Sequence, residues 1–224
     1  MNIELILIIS VGIAGLLVQS KLKSVFKKYA KVLAPGGLTG REIAERMLRD
    51  NGIYDVRVTC VQGTLTDHYN PQTKTVNLSQ DVYHSNSVSA AAVAAHECGH
   101  AVQHAMGYAP LTLRSKLVPV VQFSSMFSQI IILIGIFTLT SFPALFWFGI
   151  ALFAMIIVFS IITLPVEYNA SHRALAWLER SGSLRGLEIA QAKEALTWAA
   201  RTYLVAALSA LASLIYYLGF ADRD

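Results

Sequence analysis

The chain has 224 residues, of which 54% are hydrophobic and 14% charged, and its formal net charge is +4. This composition is too apolar for an ordinary soluble domain, and the apolar residues are concentrated in blocks, so a membrane protein is the first interpretation. The positive charge is a poor indication of nucleic-acid binding, because the lysines flank an apolar segment.

Four segments are apolar enough to cross a bilayer. The longest charge-free run, residues 117–166, fits two spans with a turn near Pro143, because one helix needs ~20 apolar residues to cross. The predicted spans are 3–20, 119–140, 143–165 and 203–220. The first is predicted to be a retained anchor, because Glu4 precedes its core, the lysines follow it, and no A-x-A cleavage site ends it.

The distribution of Lys and Arg predicts the orientation of the chain. Twelve of these residues lie in segment 21–118, five in 166–202, and none in the turn at 140–143. Positive charge is enriched in cytoplasmic loops, so both charged segments should face the cytoplasm and both termini should lie outside. Cys60 and Cys98 should then be reduced thiols.

The segment after the first span has the pattern of a small α+β domain. Thr39 and Glu42 have the spacing of a capping box at the start of a helix that Gly52 would end. Residues 55–61 alternate as a short strand, and residues 63–79 are typical of a strand pair around the Asn70-Pro71 turn, with 74–79 as the outer strand. Ser87 is placed to cap a helix over 88–106.

The motif of that last helix indicates metal chemistry. His96 and His100 are four residues apart and therefore lie on one helix face, where both imidazoles can bind one ion. Glu97 is about 100° from His96 around the helix and can reach a water on that ion. H-E-x-x-H is the pattern of two zinc ligands and a general base.

A third ligand is needed, and the chain topology favours a distant one. Gln103 and Met106 stand where a metzincin would have Gly and His, and His104 lies too far along a straight helix to complete a tetrahedral site. From residue 101 onward the first acidic residue is Glu167, where the third span ends. The hairpin of spans two and three returns the chain to the cytoplasmic side, so Glu167 can meet the two histidines in an open, catalytic type of zinc site.

Four blocks in this order resemble the YugP-like family of bacterial membrane zinc metallopeptidases. They are AAHECGHAVQ, the preceding DHYNPQTKTVNLSQDVYHSNS, the following YAPLTLR and the later LPVEYNASHRAL. The resemblance implies one zinc ion held by His96, His100 and Glu167, Glu97 as the catalytic residue, and a bacterial-type inner or plasma membrane location. The similar HtpX-type proteases imply the clipping of damaged membrane proteins.

One position departs from the HtpX-type pattern. That type has an Asp four residues after its ligand Glu, where this chain has Ser171. The support of the zinc histidines must be built differently, by Asn169 or Ser171.

The predicted fold is a mainly α, multi-pass membrane protein with four transmembrane helices and a small α+β zincin-like cytoplasmic domain that contains the HExxH helix. The predicted segments are an anchor helix at 1–20, the catalytic domain at 21–118, a transmembrane hairpin at 119–165, a cytoplasmic helical segment carrying the third ligand at 166–202, and the fourth span with a short tail at 203–224.

The predicted activity is zinc-dependent hydrolysis of peptide bonds at a membrane-proximal cytoplasmic site, in which Glu97 takes a proton from the attacking water. Three residues near Glu167 are candidate donors to the oxyanion: Tyr168, His172 and Arg173. An extended substrate could add to a sheet edge, and the candidate edge strand consists of Lys74, Thr75, Val76, Asn77 and Leu78. Expected partners are polypeptides, including membrane or misfolded proteins, and the lipid bilayer.

Two alternatives remain open. An intramembrane metalloprotease would bury the H-E-x-x-H helix in lipid, at the cost of inserting Glu97 and three histidines. A zinc-binding membrane scaffold without proteolytic activity would carry the same ligands. The loss of proteolysis in Glu97→Gln with zinc retained would distinguish a protease from a scaffold.

Overall fold

The computed structural model describes residues 3–221 and is mainly helical. Helices α1 (Ile3–Tyr29) and α2 (Gly40–Asp50) precede strands β1 (Arg57–Val61), β2 (His68–Asn70) and β3 (Thr75–Ser79). They are followed by α3 (Gln80–Tyr83), α4 (Val88–Ala105), α5 (Ala109–Phe137), α6 (Pro143–Arg180) and α7 (Leu187–Ala221). By length and composition, α1, α5, α6 and α7 can each cross a membrane, which confirms the prediction of a mainly helical chain with four candidate spans.

All four of these helices extend well beyond the apolar segments that predicted them. Helix α1 continues to Tyr29, α5 already begins at Ala109, α6 continues to Arg180, and α7 already begins at Leu187. Hydropathy detects only the part of a helix that matches the thickness of the bilayer. The apolar segments therefore did not predict that the polar residues beside them belong to the same helices.

The chain forms two compact units. The first unit contains residues 3–19, 112–164 and 201–221, and the second contains Ser20–Leu111 and Pro165–Ala200. In the first unit, Ile132 of α5 and Phe146 of α6 are fully buried. A Cβ on Gly135 would lie 2.5 Å from the Cα of Phe146, so glycine permits the close approach of these two helices.

Helix α4 runs through the core of the second unit. Nearly all of its residues are buried, and it contacts α2, α3, β2 and β3. A helix that is enclosed on all sides needs small side chains, which explains its run of alanines. Cys98 is also part of this core, 0% exposed, and its thiol contacts the carbonyl oxygen of Ala44.

The polar residues around these helices act as the sequence predicts. The side chain and backbone of Thr39 and Glu42 form a reciprocal capping box at the start of α2. Ser87 caps α4, its hydroxyl accepting a hydrogen bond from the Ala90 N–H at 3.2 Å. Gly52 and Gly107 adopt φ values of 71° and 63° just after α2 and α4, a backbone conformation that glycine adopts without strain.

The small sheet has the strand order β1-β3-β2, so the predicted edge strand was wrong. Strand β3 pairs in parallel with β1 through residues 57–61 and antiparallel with β2 through residues 68–70. Residues 75–77 are therefore paired on both sides, and β3 is the central strand of the sheet instead of its edge. The hairpin pattern correctly predicted the β2–β3 pair, but β1 occupies the other side of β3 through a parallel pairing that no local turn signals.

Candidate metal centre

Helix α4 presents His96 and His100 side by side. The residues are one helical turn apart, and their ring centroids are 4.8 Å from each other with the planes nearly perpendicular. His100 is 7% exposed, and the surrounding helix is enclosed by the core of the second unit. The local sequence alone is enough to place these two rings together, because both lie on one face of one helix.

Glu167 of α6 lies against both histidines. Its Oε2 atom is 3.2 Å from His96 Nε2 and 3.6 Å from His100 Nε2. The carboxylate is buried, with the residue only 2% exposed. The hairpin argument therefore placed the acid correctly, although 67 residues of sequence separate His100 from Glu167.

The three side chains fit a zinc ion. Their ligand atoms all lie within 4.8 Å of one another, and they are the only such group of three among residues 3–221. In a tetrahedral site with bonds of ~2.0–2.1 Å, neighbouring ligand atoms are separated by ~3.3 Å. The distances of 3.2 and 3.6 Å from Glu167 to the two histidines are close to that value.

Gly99 permits the approach of α6 to α4. A Cβ at this position would lie 2.6 Å from the carbonyl oxygen of Ala170, a backbone atom that cannot swing aside. Gly99 thus lets the backbone of α6 approach α4 between the candidate ligands His96 and His100. Gly99 was not predicted as a site residue, because a glycine inside a helix has no distinguishing local pattern.

The outer ring nitrogens of the two histidines have hydrogen-bond partners. His96 Nδ1 is 3.1 Å from Ser171 Oγ, and His100 Nδ1 is 3.0 Å from Gln103 Oε1. A carbonyl oxygen can only accept, so the His100 Nδ1 must carry the hydrogen, which leaves Nε2 of the neutral ring unprotonated. Both rings therefore direct Nε2 towards Glu167, as metal ligation requires.

Gln103 connects the two helices of the site. Its Oε1 accepts from His100, and its Nε2 donates to the Val166 carbonyl at 2.8 Å and to Asn169 Oδ1 at 3.0 Å. Arg173 Nε donates to the same Asn169 oxygen at 2.7 Å. The carboxamide is 0% exposed, so its hydrogen bonds replace water completely. From the sequence, Gln103 indicated only that a metzincin glycine is absent. A polar side chain about one turn after His100 in an apolar helix is the pattern that could have identified it.

The electrostatic environment of the site is negative. Burial lowers the pKa of His100, but the hydrogen bond and charge of Glu167 and the charge of Glu97 outweigh it, so the pKa is raised above its ordinary value. A pocket that stabilises positive charge on a buried imidazole also stabilises a cation.

Glu97 is 8% exposed and follows His96 directly in α4. Within the described part of the chain, its carboxylate forms no side-chain hydrogen bond. Its charge acts on the neighbouring His100 and on Cys98, whose thiol pKa is raised well above its ordinary value by burial and by Glu97. Glu97 therefore adds negative charge beside the candidate ligand His100.

The remaining candidates from the sequence occupy different positions. Ser171 contacts the candidate ligand His96 directly, whereas Asn169 contacts Gln103 and Arg173. Arg173 also places Nη1 3.1 Å from Met106 Sδ. Tyr168 is 49% exposed on α6, and His172 is exposed as well. Of the five candidates near Glu167, Ser171 therefore contacts a histidine and Asn169 contacts Gln103. Arg173 reaches the site only through Asn169.

His104 continues the spacing of the two histidines but does not join them. Its Nδ1 is 2.8 Å from the hydroxyl of Tyr69 on β2. Burial and the charge of Asp55 raise the pKa of Tyr69 to about 12. His104 therefore belongs to a separate polar contact between α4 and the sheet.

Comparison with known proteins gives the family. The family profile described as "Putative neutral zinc metallopeptidase" matches residues 4–222. The chain is 46% identical over 200 residues to the "Putative membrane protease YugP" of Bacillus subtilis (strain 168), covering 89% of this chain and 88% of that protein. No solved structure matches the chain. With a zinc-compatible triad already apparent in its fold, the chain belongs to this family of membrane zinc metallopeptidases.

Proposed function

We propose that the chain is a zinc-dependent endopeptidase whose metal ligands are His96, His100 and Glu167. The observation that carries the proposal is the convergence of three ligand atoms from two helices, with Glu167 Oε2 at 3.2 and 3.6 Å from the two imidazole nitrogens. Three protein ligands leave one tetrahedral position for water or substrate, which is typical of catalytic zinc sites. The arrangement is a gluzincin-type HExxH…E site.

Glu97 is the proposed general base. A zinc ion in such a site lowers the pKa of water from ~15.7 to ~7 and polarises a carbonyl group. Glu97 takes a proton from the water as it attacks the scissile carbonyl and delivers that proton to the leaving amine. Its position directly after His96 and its lack of a hydrogen-bond partner within residues 3–221 support this role.

The donor that stabilises the oxyanion is proposed among the residues after Glu167. Tyr168 and His172 are exposed and have polar atoms available, and such a donor acts most strongly when aimed at the developing charge. The guanidinium of Arg173 instead holds Asn169 through Nε, and we assign it to the support of Gln103.

The proposed site lies outside the bilayer, on the cytoplasmic side. Helix α4 is enclosed by protein in the second unit and is not among the four described helices that are long and apolar enough to cross a membrane. This supports a membrane-proximal site over an intramembrane one. The charge distribution supports a cytoplasmic location for segments 21–118 and 166–202, with spans in 1–20, 119–165 and 203–224 and both termini outside.

The proposed substrates are polypeptides, including membrane or misfolded proteins. The similarity to a protein named as a membrane protease supports this substrate class.

The test is cleavage of an unfolded model protein by the full chain, purified in detergent, with zinc measured in the same samples. We expect wild type to bind about one zinc per chain. We expect Glu97→Gln to retain the metal and to lose about 10²-fold or more in kcat/KM. Glu167→Ala should lose zinc, because only two ligands remain.

Two outcomes would contradict the proposal. Equal cleavage by wild type and Glu97→Gln would exclude Glu97 as the base. Zinc binding by both proteins with cleavage by neither, also in lipid nanodiscs with a membrane-protein substrate, would favour a zinc-binding scaffold.

A further inference from the structure

A cavity of about 720 Å³ lies within the second unit. The end of α1, the β1–β2 loop, the segment after β3 and the first half of α4 form its walls. Its apolar lining includes Phe26, Leu65, Val82 and Val93. Pockets that bind ligands usually measure ~300–1,000 Å³ and have mostly apolar walls, so this cavity has room for one or more side chains of a bound chain.

On α4, the residues that line the cavity precede the candidate zinc ligands along one face of the helix. Ser89 and Val93 line the cavity, and both are buried in α4, 6% and 8% exposed. At ~100° per residue, Ser89, Val93 and the two ligand histidines all lie within about 60° of one another around the helix. Val93 precedes His96 by three residues, or about 4.5 Å along the helix axis. A substrate bound at the metal therefore lies close to this cavity.

The charges around the cavity favour an apolar occupant over an anionic lipid headgroup. Lys23 and Lys27 of α1 line it, one turn apart and exposed, but Asp67 and Asp81 line it as well. The two positive and two negative side chains leave no excess of positive charge to bind a phosphate group. The backbone N–H of Ser79 donates to Asp67 at 2.7 Å, which holds that carboxylate at the wall.

We propose that this cavity is a specificity subsite that takes a large apolar side chain of the polypeptide substrate, next to the bond that is cut. The proposal rests on the proposed peptidase function. It assigns to the end of α1 a role beyond anchoring, because Phe26 of that helix and Ala30, the residue that follows it, form one wall of the subsite. The chain would then select its cleavage sites by how well a substrate side chain fits between this wall and α4.

The experiment uses zinc-loaded full-length chain and peptide pairs that differ only in Phe or Ala beside the bond that the enzyme cuts. Wild type should prefer the Phe peptide by about tenfold or more in kcat/KM. Ala30→Phe fills the cavity from an exposed position, so it should reduce the preference to less than about threefold. Ala109→Phe changes another exposed alanine outside the cavity lining and should keep the full preference. Zinc content should be the same in all three proteins.

The proposal is overturned if wild type has no apolar preference or if Ala30→Phe retains it. Binding of a fluorescent, uncut peptide to zinc-loaded Glu97→Gln tests the cavity separately from catalysis. If wild type cuts nothing, the proposed peptidase function is wrong, but the cavity proposal still predicts a difference in binding. The Phe peptide must then bind more tightly than the Ala peptide, and Ala30→Phe must remove that difference. Ala30-dependent binding of phosphatidylglycerol micelles without any peptide preference would make the cavity a lipid site and would also overturn the proposal.

Discussion

Gln103 and His100 are joined by a 3.0 Å hydrogen bond between two fully or nearly fully buried side chains of α4. The same carboxamide donates to the carbonyl oxygen of Val166, the residue before the third candidate ligand. Gln103 thus determines which ring nitrogen of His100 carries the hydrogen, and it holds the turn of α6 that carries Glu167. It is the residue through which the two halves of the site are aligned.

Gln103→Leu should weaken zinc binding. The change keeps the volume of the side chain but removes the acceptor of His100 and the donor to Val166. Loss of such a partner typically costs about 10- to 100-fold in metal affinity. Competition with a fluorescent chelator measures the dissociation constant. Gln72→Leu, at an exposed turn position, is the matched control, and an unchanged zinc affinity in Gln103→Leu would refute the bracing role.

Gly99→Ala should separate the two helices of the site. The added methyl group meets the Ala170 carbonyl oxygen at 2.6 Å, so α4 or α6 must move. We expect a loss of about 1–3 kcal/mol in the free energy of unfolding, typical of an overpacked contact, together with reduced zinc content. Thermal unfolding and metal analysis measure both. Gly36→Ala, where the nearest atom is 4.0 Å away, should change neither; normal zinc content in Gly99→Ala would contradict the argument.

Cys60 and Cys98 provide a test of the cytoplasmic orientation. Cys60 is exposed, whereas Cys98 is buried and has a raised thiol pKa. Because thiolates are the reactive form, a membrane-impermeant maleimide should label native protein at Cys60 alone.

The side on which labelling occurs decides the topology. We expect labelling of Cys60 in inside-out vesicles and not in intact cells. Ser141→Cys, introduced with Cys60→Ser in the exposed turn between α5 and α6, should give the opposite result. Labelling of Cys60 in intact cells would reverse the proposed orientation.

Tyr69 should make the stability of the second unit depend on pH in the alkaline range. Its pKa rises from the ordinary 10.0 to about 12 in the folded chain, because of burial and the charge of Asp55. The folded state holds this proton more tightly than the unfolded state, so the contribution is complete below pH 10 and is lost as the pH rises from 10 to 12. Tyr69→Phe should reduce the loss of stability over that interval, measured by chemical unfolding at several pH values. Equal pH dependence in both proteins would show that Tyr69 titrates normally.

Local patterns predicted most of the elements around the site. The capping box at Thr39 and Glu42, the cap at Ser87 and the four apolar segments are all present in the structure. These features depend on hydrogen bonds and hydropathy within a few residues, or within one bilayer thickness, and sequence contains that information directly. The order of the strands was different, because the parallel pairing of β1 with β3 is a long-range contact.

The sequence by itself determined that His96 and His100 share a helix face, because helical periodicity requires it. The predicted hairpin of spans also indicated that Glu167 could meet them, and the structure places the carboxylate against both rings. Only the tertiary structure decided how these ligands are held. The bond from Ser171 to His96, the Gln103 network and the contact permitted by Gly99 all join α4 to a part of α6 more than sixty residues away. Such contacts depend on the packing of two helices, and no local residue pattern specifies that packing.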